Sequence, residues 1–186
     1  CSKKESAAAK PAAAAAPAAE PRRETAVEIG LAGITVATGS RKVSNEEIAA
    51  KCPEWTASEI LKRVGIESRY WVGEGETVVT LGAKAAHQLL AAHGISIRDI
   101  DLLITATGTP TISTPAVATL ILNKLAEGAS DVYVQAYDIN AACSGFLYGL
   151  QAAYDYLYTR PDKRVLVVTS ETLSVHTDPA DPSTAP

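Results

Sequence analysis

Two short runs constrain the fold most. Leu102-Leu-Ile-Thr105 and Val165-Leu-Val-Val168 carry almost no polar residue. A strand with one wet face alternates between apolar and polar residues, and a strand covered on both faces does not. Both runs therefore predict strands inside a covered sheet. Helix-like stretches lie around them, with their own start and stop signals. Ser44 and Glu47 have capping-box spacing before Ile48. Thr56 and Glu59 repeat that spacing, and Gly65 stops the second helix. Residues 80–93 put Leu81, Ala85, Ala86, Leu89 and Leu90 on one helical face, with Gly94 as the stop. Residues 115–126 read as a helix with Pro115 near its first turn. A strand over 132–138, a helix over 144–158 and a strand over 164–170 complete the series. Residues 27–38 alternate loosely and are β-rich, and 66–72 read as extended or loop. Strands alternating with helices of these lengths predict an α/β fold with a mainly parallel sheet.

The first 25 residues stand apart. They are rich in Ala and Pro, lack large apolar side chains and carry five basic and three acidic groups. Repeated Pro prevents a continuous helix, so 1–25 read as a flexible linker before a domain over 26–186. Cys1-Ser2 before a polar Ala/Pro stretch also allows a lipid-bearing N-terminus; a simple tether is the other reading. The chain contains no Met and ends in a loop-like stretch after a strand, so it is expected to be cut at both ends, a piece of a longer product.

Several function classes are disfavoured. Net charge is −4 and the basic residues are scattered, which argues against nucleic-acid binding. The apolar runs are too short for a membrane span. The three cysteines have neither disulfide-framework nor zinc-site spacing, so no metal is expected. A soluble protein of a reducing compartment, the cytoplasm, is the expectation.

The chemistry concentrates at Asn140-Ala-Ala-Cys143-Ser-Gly-Phe146, between a predicted strand and a predicted helix. The first N–H groups of a helix have no internal partner. With the positive end of the helix dipole they favour a thiolate, the nucleophilic form of cysteine. Cys143 is therefore the candidate nucleophile for covalent catalysis on an acyl group. Asn140, Ser144 and Gly145 are its local support, with Gly145 allowing close packing behind the turn. In open α/β sheets functional groups sit at the C-terminal ends of strands, where Cys143 and the loop 108–115 both fall.

These residues resemble a known family. Asp138-Ile-Asn-Ala-Ala-Cys143-Ser-Gly-Phe-Leu-Tyr-Gly149 is similar to the nucleophile turn of β-ketoacyl-acyl-carrier-protein synthase III, one of the thiolase-like condensing enzymes. Arg63-Val-Gly-Ile-Glu-Ser-Arg69, the strand from Asp101, Thr114-Pro115 and Ser170-Glu-Thr-Leu extend the resemblance over about 28–182. It implies the N-terminal half of a five-layer α-β-α-β-α fold and a homodimer. It also implies a two-step reaction without a cofactor. The cysteine takes an acyl group from acyl-CoA or an acyl-carrier protein, and a malonyl thioester then condenses with loss of carbon dioxide. The His and Asn that serve the second step in this family belong to its second half. Acyl transfer or hydrolysis on the same fold, and a non-catalytic partner subunit, are the rival readings.

The chain departs from the family pattern at two positions. A Trp is usual six residues before the glycine of the Arg-x-Gly-Ile motif, where this chain has Glu59. Its Arg partner falls in a stretch that here reads Asp178-Pro-Ala-Asp-Pro182. Both CoA-adenine contacts are thus expected to be lost, with Trp55 as a substitute and Arg63 as a contact for phosphate or pantetheine. Of the remaining candidates, Cys52, His87 and His93 read as structural or solvated. His176 reads as a surface residue, with a Cys–His pair as its sharper alternative. Glu171, after a strand end, is expected to be a buried hydrogen-bonding carboxylate supporting the turn.

Overall fold

The computed structural model describes residues 28–184; the linker 1–25 and Cys1 lie outside the described residues. Its centre is a parallel sheet of three strands. Strand β3 (Leu102–Ala106) lies between β4 (Gln135–Ile139) and β5 (Val165–Thr169). Leu102 sits opposite Gln135 on one side and Val165 on the other. All five residues of β3 are buried, as its unbroken apolar run predicts. Leu103 packs with Leu166 and Val168 against helices α3 (Val78–Ala92) and α4 (Val117–Ala126). Leu102 and Ile104 face the other way, against Ala153 of helix α5 (Gly145–Tyr158). The result is three layers, helices on both faces of a sheet. Each fully buried Leu or Ile contributes about 2 kcal/mol from burial.

A smaller unit packs beside this core. Strands β1 (Arg41–Ser44) and β2 (Ser68–Trp71) pair antiparallel, with helices α1 (Asn45–Lys51) and α2 (Ala57–Val64) between them in sequence. Val43, Ile48, Cys52 and Ile60 form its apolar centre. Thr56 and Glu59 make the full capping box, and Gly65 ends α2 with φ of 72°. Ser44 caps α1 by accepting the Glu47 N–H, while the Glu47 carboxylate turns outward to Arg41 and Lys51.

The boundaries differ from expectation at four places. Helix α3 starts at Val78 because Thr77 caps it, in a box with Thr80. Strand β4 starts at Gln135, since Val132 and Val134 pack on the core without joining the ladder. The β1–β2 pair was not expected, because Arg41-Lys-Val-Ser44 has a single apolar residue. Residues 28–39 form no strand despite their β-rich composition. They line a groove of about 860 Å³ together with residues of α3, α5 and β5. Thr35 instead donates its hydroxyl to the Ala85 carbonyl, 2.8 Å away.

Two carboxylates anchor these elements. Ala116, the N-cap of α4, supplies no side-chain cap. Asp138 of β4 replaces it, accepting the Val117 N–H at 2.6 Å and the Ala118 N–H at 2.7 Å. Asp138→Ala should therefore destabilise the fold by about 2 kcal/mol in urea denaturation, and Asp138→Asn by less. Equal losses for both variants would contradict this assignment. Glu76 accepts the Gly73 N–H at 2.7 Å, the Ser40 N–H at 2.8 Å and the Ser40 hydroxyl at 3.0 Å. The Gly73 and Ser40 N–H groups hold its carboxyl below the ordinary 4.5. A depressed folded-state value stabilises the fold above that pH, and the contribution is lost as pH falls through the folded value. Glu76→Gln should thus lose stability at neutral pH and show a shallower loss of stability on acidification below 4.5. Parallel pH profiles for the variant and the unmodified protein would sink this reading.

Candidate active site

Cys143 lies where its spacing predicts, between the end of β4 and the start of α5. A single 3-10 turn, Ala142–Ser144, joins them. The Ser144 N–H donates to the Ala141 carbonyl at 3.0 Å, and the Gly145 N–H to the Ala142 carbonyl. The Cys143 N–H is not among the bonds that close this turn. Ala142 carries the strain of the turn, with φ of 45° in the left-handed region that favours glycine. Such outliers persist where the surroundings over-determine them and cluster at functional sites.

Close packing behind the turn fixes it. Gly145 is buried, and a Cβ there would lie 3.0 Å from the Ala106 Cβ at the end of β3. The helix start therefore sits directly on the central strand, and Cys143 is left exposed above it. Asn140 and Ser144 are exposed on either side of it in the chain. The structure thus gathers Cys143, Asn140, Ser144 and Gly145 in one turn at the C-terminal end of the sheet.

Arg63 and Trp55 form a separate pair in the smaller unit. The Arg63 guanidinium lies 4.9 Å from the Trp55 ring centroid. The Trp55 indole N–H donates to the Pro182 carbonyl at 3.1 Å, and its ring packs on the cluster of Val43, Ile48, Cys52 and Ile60. Glu59 is occupied in the α2 cap. Cys52 is buried, consistent with a structural thiol. His93 closes α3, and His176 follows the 3-10 turn Leu173–Val175. Among the described residues no cluster of His, Cys, Asp and Glu could hold a metal ion. No helix there is long and apolar enough to cross a membrane.

Glu171 differs from its expected buried state. It is exposed, yet its carboxylate accepts the Gly108 N–H at 2.6 Å and the Thr109 hydroxyl. Thr109 in turn accepts the Thr172 N–H at 3.0 Å. The loops after β3 and β5 are thereby tied together beside the cysteine turn. Nothing in the local pattern of Ser170-Glu-Thr172 shows this link, because its partners lie 62 and 63 residues away.

Known proteins share both the sequence and the geometry. Residues 137–186, which include the whole cysteine turn, match the family model for 3-oxoacyl-[acyl-carrier-protein] synthase III. The β-ketoacyl-[acyl-carrier-protein] synthase III of Bartonella bacilliformis is 42% identical over 144 residues, covering 77% of this chain and 43% of the relative. The 3-oxoacyl-[acyl-carrier-protein] synthase III of Aquifex aeolicus superposes with a TM-score of 0.74 at 33% identity, over 82% of this chain and 47% of that one. The priming β-ketosynthase of the R1128 polyketide pathway gives 0.72 at 32% identity, over 81% of this chain and 44% of that one. The chain thus spans less than half the length of these relatives, and it has the N-terminal part of their thiolase-like α/β fold. With the covered parallel sheet and the cysteine turn at its end, these likenesses show that the chain belongs to the β-ketoacyl-acyl-carrier-protein synthase III family, as its N-terminal part.

Proposed function

We propose that Cys143 is acylated by an acyl thioester as the first half of a decarboxylating Claisen condensation in fatty-acid or polyketide synthesis. The observation that supports this best is the exposed cysteine on a strained turn packed against the end of the central strand. The thiolate attacks the thioester carbonyl. In this reading the Cys143 N–H stabilises the oxyanion that forms. The carrier thiol then leaves with a proton, and the acyl group stays on sulfur. In the second half a malonyl thioester loses carbon dioxide, its carbanion attacks the acyl carbonyl, and the Cys143 thiolate departs. That half relies on the His and Asn of the family's second half, so the 186 residues alone should stop at the acyl-enzyme.

The donor follows from the two departures. Glu59 caps α2, Trp55 is covered by Arg63, and Pro182 stands where the family places an Arg. These residues disfavour a Trp–Arg sandwich for adenine. An acyl-carrier protein, recognised through its pantetheine arm, is therefore the favoured donor over acyl-CoA, with Arg63 as a phosphate contact. Acyl transfer without condensation is the second reading, and the same departures keep it in play.

A homodimer formed through the β4 edge is also proposed. Among the described residues that strand pairs on one side only, and Tyr133 beside it is 90% exposed. An exposed edge flanked by aromatics is a ready surface for another chain. A reducing compartment, the cytoplasm, suits a working thiol.

Peptide mass spectrometry after incubation with acyl-carrier-protein and acyl-CoA donors tests the first claim. The expected result is an acyl mass on the Cys143 peptide, strongest with carrier-protein donors and absent in Cys143→Ser. A folded protein that forms no adduct with any donor would leave a non-catalytic subunit as the better account. Sedimentation equilibrium should give a dimer that Tyr133→Lys weakens; a monomer at micromolar concentration would refute the interface.

A further inference from the structure

A second cavity, of about 580 Å³, is lined by residues of β2, by residues 37–39 and by the segment that follows β5. Its walls include Thr38, Arg69, Trp71, Ser174, Thr177 and Thr184. That volume is in the range that holds a small organic ligand.

Arg69 is the cation of this cavity. Its Nη1 donates to Asn45 Oδ1 at 2.6 Å, and Asn45 is itself held by donating to the Ile66 carbonyl at 2.8 Å. Asn45 is buried, so the arginine is oriented by a fixed partner. A guanidinium has five N–H donors, yet this is the single side-chain bond that Arg69 makes among the described residues. It makes no ion pair among them. Burial pushes the guanidinium below its ordinary pKa, and no carboxylate offsets that cost. Glu171 lines the cavity too, but its carboxylate is taken by the Gly108 N–H and the Thr109 hydroxyl. Two wall hydroxyls keep a proton to donate. Among the described residues Ser174 Oγ accepts the Val72 N–H at 3.2 Å and donates to nothing, and the Thr38 hydroxyl makes no hydrogen bond.

A partly buried cation without a counter-charge, beside hydroxyls from two other segments, suits an anion with several acceptor oxygens. The guanidinium fork matches phosphate. A phosphate monoester offers three strong acceptor oxygens, and a carboxylate offers two.

We propose that this cavity binds a phosphate monoester, with Arg69 as its anchor and Thr38 and Ser174 as further donors. The proposal is independent of acylation at Cys143.

Isothermal titration calorimetry of the full chain with phenyl phosphate, at constant ionic strength, tests it. The expected result is saturable binding that Arg69→Met abolishes. Thr38→Val should weaken it roughly tenfold, as expected for losing a bond to a charged group. It also serves as the second variant if Arg69→Met does not fold. Cys143→Ser should bind as the unmodified chain does, so failure of the acylation reading leaves this result standing. Inorganic phosphate should bind more weakly than phenyl phosphate, because the cavity has room for an organic substituent. Binding of inorganic phosphate alone would mark a site for the free ion and overturn the proposal. So would benzoate binding as tightly as phenyl phosphate, no saturable binding to the folded chain, or unchanged binding in folded variants.

Discussion

The burial of β3 on both faces is the constraint on which the rest depends. Its five residues have no solvent-facing side, so α3 and α4 must cover one face and α5 the other. Covering the second face brings the start of α5 onto Ala106, so close that a Cβ at position 145 would lie 3.0 Å from the Ala106 Cβ and press on it. The turn before that glycine has little freedom, and Ala142 takes a left-handed conformation within it. Cys143 is exposed because the packing that fixes the turn leaves its side chain above the sheet end. Sheet packing and the placement of Cys143 are thus one arrangement.

The loops at the sheet's C-terminal end extend the same logic. Packing fixes the turn after β4, and carboxylates order the loops after β3 and β5. Asp138 caps α4 across strands, and Glu171 joins the loops after β3 and β5. Thr105 is the exception, a hydroxyl buried in mid-strand with no hydrogen-bond partner among the described atoms.

The sheet and the cysteine turn were legible in the sequence because their signals are local. Apolar runs mark β3 and β5, Thr56 with Glu59 and Gly65 delimits α2, and the cysteine stands at a predicted strand-to-helix junction. What was not legible depends on distant partners. Arg41-Lys-Val-Ser44 becomes a strand only by pairing with β2, and residues 28–39 remain outside a ladder despite their β-rich composition. The expected burial of Glu171 failed for the same reason. Its neighbours suggested a carboxylate behind the turn, whereas its bonds reach outward to a loop more than sixty residues away. Trp55 and Arg63, chosen separately, meet because α2 and the turn before it bring them within stacking distance.

The central claim is that Cys143 bears the acyl group as a thioester. Hydroxylamine treatment of the acyl-labelled protein tests the bond itself. The account predicts that neutral hydroxylamine removes the label and that the Cys143 peptide then regains a thiol open to alkylation. Label that resists hydroxylamine, or that leaves some other residue while Cys143 stays free throughout, would contradict it.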